Sequence, residues 1–86
     1  MKSKLNLVKR NIAGDIILVP VGETSLKLNG LITLNEVGEF IWDNLENAED
    51  DAAMAALVTG EYEVDPTVAA ADVSEFLGKL RDLGVL

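Results

Sequence analysis

The side chains of this 86-residue chain that could do chemistry are almost all carboxylates: 15 Asp and Glu against 7 Lys and Arg, with no cysteine and no histidine. Lacking those two residue types, the chain has no thiolate nucleophile, disulfide, Cys/His zinc site or imidazole acid and base. Ser3, Ser25 and Ser74 have no histidine to activate them. Asp50, Asp51, Glu61, Glu63 and Asp65 fall around turns and helix starts, without EF-hand spacing or the glycine such a loop needs. They read as solvated acidic surface. Gly22, Gly30 and Gly38 stand too far apart to form one phosphate cradle. The expectation is a protein that is not an enzyme, with no catalytic residues, no metal site and no cofactor.

What remains is binding, and the charges bear on the partner. The net charge is −8. Residues 1–30 carry five basic and two acidic residues, a net of +3, whereas residues 31–86 carry two basic and thirteen acidic, a net of −11. Such a chain repels phosphate, so nucleic acid is a poor partner. No signal-peptide pattern opens the sequence, and the longest apolar run, Ile16–Val21, contains Pro20 and is far too short to span a bilayer. A cytoplasmic protein with no membrane partner is expected.

The length allows one core, and residues 1–86 read as a single domain. Hydrophobic residues are 49% of the chain and aromatics only 5%, so that core is aliphatic. Leu5, Leu7 and Val8, then the turn-forming Ala13-Gly14-Asp15, then Ile16-Ile17-Leu18-Val19 predict a hairpin closed by Pro20. Gly22–Ser25 reads as loop. Leu26-Lys27-Leu28 alternates, Asn29-Gly30 is a favoured hairpin dipeptide, and Leu31-Ile32-Thr33-Leu34 follows as a strand, giving a sheet of three strands or four.

After Leu34 the hydrophobic period changes to that of helices. Asn35 predicts an N-cap before a helix whose apolar face is Leu34, Val37, Ile41 and Leu45, with Trp42 read as core. Glu49-Asp50-Asp51 opens a second, alanine-rich helix that Gly60 is expected to end. Tyr62 and Val64 alternate in the connection. Asp65-Pro66 opens a third helix with Ala69, Val73, Phe76, Leu77, Leu80 and Leu83 along one stripe, stopped by Gly84. Strands first and helices after predict an α+β fold with helices packed on one face of an antiparallel sheet. The edge run Leu31–Leu34 has neither proline nor charge to protect it, so it either accepts a peptide as an extra strand or lies covered by the last helix.

Taken in order, Leu34-Asn35-Glu36-Val37-Gly38-Glu39-Phe40-Ile41-Trp42, Tyr62-Glu63-Val64-Asp65, and Asp72-Val73 with Phe76-Leu77, Leu80 and Gly84 resemble the PqqD-like family, also called the RiPP recognition element. The shared pattern is leucine-asparagine, a small residue three on, an Ile-Trp pair, a Tyr-x-Val turn, then Asp-Val-x-x-Phe-Leu-x-x-Leu and a closing glycine. The Lys27–Gly30 region and the richness in alanine of the second helix depart from it.

The resemblance implies a winged-helix-like fold, three antiparallel strands followed by three helices, in a peptide chaperone. Such a protein binds the leader of a ribosomally made precursor peptide and presents it for post-translational modification, commonly to a radical SAM enzyme. In the founding member the product is the quinone cofactor PQQ. The leader is held as an added strand on the third strand, against the third helix. Carried onto this chain, the strand is Leu31, Ile32, Thr33 and Leu34, and the helix runs from Pro66 to Leu83. If the stripe faces the core, Val68, Asp72 and Lys79 flank it and meet a bound peptide together with the edge of Phe76.

Two other readings stay open on the sequence: a winged-helix DNA-binding regulator, and a structural subunit docking to an enzyme through its acidic helices. An exposed edge could also pair two copies into a homodimer.

Overall fold

β-Branched residues and a tight turn build the first hairpin. In the computed structural model, which describes residues 1–28 and 30–86, β1 (Leu7–Ile12) and β2 (Asp15–Pro20) pair antiparallel, from Leu7 opposite Pro20 to Ile12 opposite Asp15. Ala13 and Gly14 form the turn with φ of 53° and 89°. Positive φ at both central residues gives the turn a twist that matches the strands. The Gly14 N–H also donates to Asn11 Oδ1 at 3.2 Å.

The segment after Pro20 departs from the sequence expectation. Thr24–Lys27 forms a single helical turn, α1, where Gly22–Ser25 reads as loop and Leu26–Leu28 as a strand. Thr24 explains the change. Its hydroxyl oxygen accepts the Asn6 N–H at 2.8 Å, and the residue is buried at 4% exposure, so the turn is pinned against the N-terminal segment. Of the alternating pair only Leu28 enters the core, while Leu26 is 85% exposed. Asn29 of the expected Asn29-Gly30 hairpin lies outside the described residues.

Strand β3 (Ile32–Leu34) begins one residue later than the sequence suggests and pairs with β2, Ile16 opposite Leu34 and Leu18 opposite Ile32. The sheet has the order β1-β2-β3. Partners across an antiparallel ladder share a face. One face therefore carries Leu18, Ile32 and Leu34, all buried, with Lys9 in the row of Leu18. The opposite face carries Val8 beside Val19, and a row of Arg10, Ile17 and Thr33. None of these five belongs to the packed core.

Three longer helices follow, each opened by the side chain of its N-cap residue. Asn35 Oδ1 accepts the Gly38 N–H at 2.7 Å ahead of α2 (Glu36–Asp43). Asp50 accepts from Ala53 at 2.8 Å ahead of α3 (Asp51–Glu61), and Asp65 accepts from Thr67 at 2.8 Å ahead of α4 (Pro66–Asp82). Each such cap contributes about 1 kcal/mol. Helix α2 is shorter than expected, because the chain tightens into a 3₁₀ turn at Leu45–Asn47. Gly60 does not stop α3, which continues to Glu61, with Tyr62 as its C-cap. Gly84, at φ 78°, ends α4 as expected. The reversal there leaves Leu83 38% exposed and drives Val85 into the core at 0%.

The core lies between the sheet and the helices. Leu18, Ile41, Met54, Val58, Val73, Leu77, Leu80 and Val85 are its fully buried side chains. Burying a leucine- or valine-sized side chain is worth roughly 1.5–3 kcal/mol, so this aliphatic set supplies most of the driving force. Phe40 and Tyr62 meet edge to face at 5.5 Å, which ties the α3–α4 connection to α2, whereas Val64 is 37% exposed. The Lys4 N–H donates to the Val85 carbonyl at 2.6 Å and fastens the N-terminal segment to the end of the chain.

Candidate functional site

The third strand has a neighbour on one side only. Among the described residues, no backbone hydrogen bond outside the β2 ladder involves residues 31–34. Its outer N–H and C=O groups are thus open to a further strand, which is how extended peptides gain affinity from main-chain pairing. Beside this edge, between α2 and α4, lies a groove of about 300 Å³ lined by Thr33, Asn35, Val37, Gly38, Ile41, Asp72, Glu75, Phe76 and Lys79.

The groove has an apolar floor and a polar rim. Val37 and Ile41 reach it from α2, one helical turn apart, and the half-buried Phe76 reaches it from α4. Gly38 holds the floor open. A β-carbon there would stand 3.2 Å from Asn35 Oδ1 and 3.4 Å from the Phe76 ring. Gly38 stands in the first turn of α2, where the helix comes close to the aromatic ring. Asp72, Glu75 and Lys79 are exposed along the other wall.

The sequence-predicted site residues divide by where they stand. Thr33, Asp72, Phe76 and Lys79 all border the groove. Ile32 and Leu34 belong to the edge strand through their backbone, but their side chains are buried at 4% and 6%, pointing into the core. Leu31 precedes β3 and is 59% exposed, and Val68, 51% exposed, lies on α4 one turn ahead of Asp72 without lining the groove. Asn35, Val37, Gly38, Ile41 and Glu75 are lining residues that the sequence reading did not name as site. Gly38, three residues after the N-cap Asn35, was the available signal for the α2 wall, and the i, i+3 relation of Asp72 and Glu75 was the signal for the α4 wall.

A second, wider depression of about 650 Å³ lies at the N-terminal side, bordered by Leu5, Leu7, Val8, Trp42, Asp43 and Leu45 among others. Trp42 is half-buried and packs against the core, in keeping with its reading as core. Among the described residues, no group of three or more acidic side chains could hold a metal ion, and no helix is long and apolar enough to cross a membrane.

Fold and site together define a class: an α+β domain with an open three-stranded sheet, helices on one face and a groove along an unpaired edge strand. The family model for coenzyme PQQ synthesis protein D (PqqD) matches residues 16–86, and the chain belongs to that family. Its fold is shared by two solved structures. TbiB1 in complex with the TbiA(beta) leader peptide superposes with a TM-score of 0.72 at 24% identity, covering 100% of this chain and 94% of that one. A lasso peptide synthetase B1 complexed with the leader peptide gives a TM-score of 0.69 at 21% identity, covering 99% of this chain and 96% of that one. No curated protein sequence matches the chain.

Proposed function

We propose that this chain is a non-catalytic peptide-binding module that captures the leader of a ribosomally made precursor peptide by strand addition to β3 and presents it to a modifying enzyme. The observation that carries the reading is the open, uncharged edge of β3 running beside a groove with an aromatic floor. Membership of the PqqD family and likeness in fold to two proteins held with leader peptides support it. The enzyme partner is proposed to be of the radical SAM class, on the family resemblance alone.

Main-chain pairing supplies affinity with little sequence preference, and the Val37–Ile41–Phe76 floor selects apolar side chains at alternate ligand positions. Ordering a flexible leader costs several kcal/mol, so a net of roughly −7 to −9 kcal/mol follows, a Kd on the order of micromolar or below. Such affinity suits a carrier that must release its cargo. The leader residues are proposed to meet Leu31, Ile32, Thr33 and Leu34 along the strand and Val68, Asp72, Phe76 and Lys79 along α4.

Amide NMR spectra of the labelled protein, titrated with precursor-like peptides encoded beside its gene, test the proposal. Saturable shifts concentrated on residues 31–34 and on the groove face of α4 are expected. Leu31→Pro, at an exposed position that makes no backbone hydrogen bond among the described residues, is expected to keep the fold and weaken binding at least about tenfold by removing an edge donor. If no peptide shifts those amides up to ~1 mM, where binding is weaker than about −4 kcal/mol, the docking-subunit reading replaces this one.

A further inference from the structure

Charges on the α4 wall of the groove are neither uniform nor engaged. Asp72 and Lys79 stand seven positions apart on nearly the same side of the helix, which places them ~10.5 Å apart along its axis. Glu75 lies between them, ~6 Å before Lys79. The order Glu75 then Lys79, four apart, is the favourable one for an internal pair on a helix. Yet the ion pairs among the described residues involve only Lys9 with Glu39 and Asp43, and Arg81 with Asp51. The groove thus offers a free acidic stretch and a free cation in sequence along its length.

Lys79 is also unusual in its surroundings. Residues 31–86 contain only two cations, Lys79 and Arg81, against thirteen acids. Arg81 is held by Asp51 through the two terminal guanidinium nitrogens, at 2.5 and 3.2 Å. The one cation of the helical region left without an ion-pair partner among the described residues is the one that borders the groove.

We propose, on the basis of the strand-addition reading, that the groove recognises its peptide by a pair of opposite charges two residues apart. A Lys or Arg of the ligand faces Asp72 and Glu75, and an Asp or Glu faces Lys79. The spacing follows from two repeats. Side chains on one face of an extended chain recur every ~6.6–6.8 Å, so residues one or three apart point to opposite faces and residues four apart span ~13 Å. Only the two-residue spacing falls within the ~6–10 Å between the acidic and basic positions of α4. The arrangement also sets register. A basic peptide could slide along a purely acidic wall, whereas Lys79 repels it whenever it slips by two residues, so one cation converts general attraction into a fixed alignment.

Phage display of random dodecapeptides on the intact wild-type chain, Lys79→Glu and Asp72→Lys tests the proposal. The wild-type pool is expected to converge on opposite charges at positions i and i+2 flanked by apolar residues. With Lys79→Glu, the acidic position should turn basic. A synthetic wild-type-selected peptide should bind Lys79→Glu at least about tenfold more weakly, because the exchange brings like charges together in the interface. Exchanging its acidic residue for lysine should restore binding, which also shows that the variant folds. Selected peptides without the charge pair, or an unchanged pool on Lys79→Glu, overturn the charge code while leaving peptide binding in place. Failure of every chain to select any peptide that shifts the amides of residues 31–34 overturns strand addition, and the charge code falls with it.

Discussion

The two edges of the sheet are built from the same number of partners and opposite chemistry. Strand β1 runs six residues and carries Lys9 and Arg10, whereas β3 runs three residues, Ile-Thr-Leu, without a charge. Lys9 bonds Glu39 and Asp43 of α2 at 2.8 Å each, so β1 is tied to the helical layer through a charged side chain. On the other edge the nearest helix stands back and leaves a groove with an aromatic floor. Charged residues on an outer strand discourage pairing with another chain, and their absence invites it. In one small sheet a single edge is left receptive. That is the arrangement expected where one extended ligand must be taken up in one place.

Three changes probe this contrast, beginning with the support both edges share. Leu18 lies in the central strand between Lys9 and Ile32 and is fully buried. Leu18→Ala should cost about 2–5 kcal/mol in urea denaturation and weaken both edges together. A cost below ~1 kcal/mol would show that the edges do not depend on this strand's packing. A smaller effect, confined to β3, is expected from Gly38→Ala. Alanine gains helix propensity, less in this first turn than the ~1 kcal/mol of a helix interior, and its β-carbon stands tight against Asn35 Oδ1 at 3.2 Å and in contact with the Phe76 ring at 3.4 Å. Stability should change little while peptide affinity falls, and unchanged affinity in a folded variant would remove Gly38 from the groove's design.

The smallest change concerns β1. Hydrogen bonding to Asp43, and then to Glu39, holds the Lys9 ammonium above its ordinary value of 10.5. A folded-state value above the unfolded one means the contribution is fully present below that ordinary value and is lost as pH rises through the raised one. Lys9→Gln should therefore lower the melting temperature slightly at neutral pH. The difference from wild type should shrink in 1 M salt and close at strongly alkaline pH. Peptide binding at β3 should not respond. A loss of binding in Lys9→Gln would show that the two edges communicate.

Most of the architecture was legible because local chemistry and tertiary packing agree. Ala13-Gly14, Asn35, Asp50, Asp65-Pro66 and Gly84 each do locally what the fold requires. The misreadings occur where one long-range contact decides. Nothing near Thr24 announces the bond from Asn6, eighteen residues away, that pins the helical turn α1. Leu83 fits the helical period as well as its neighbours do, yet the reversal at Gly84 gives its place in the core to Val85. The groove was half legible for a related reason. The stripe of α4 predicts its own flank, which yields Asp72, Phe76 and Lys79. The opposite wall comes from α2, and periodicity within one helix is silent about which other helix will face it.

The alternation of β3 has a consequence for any gene that encodes its ligand. A chain paired to this strand turns every second side chain toward the helices and the groove, and the intervening ones toward the face that carries Arg10, Ile17 and Val19. If a peptide pairs with β3 as proposed, fit to the groove constrains the alternate residues that face it, and the intervening residues are open to a different reader of the same short segment.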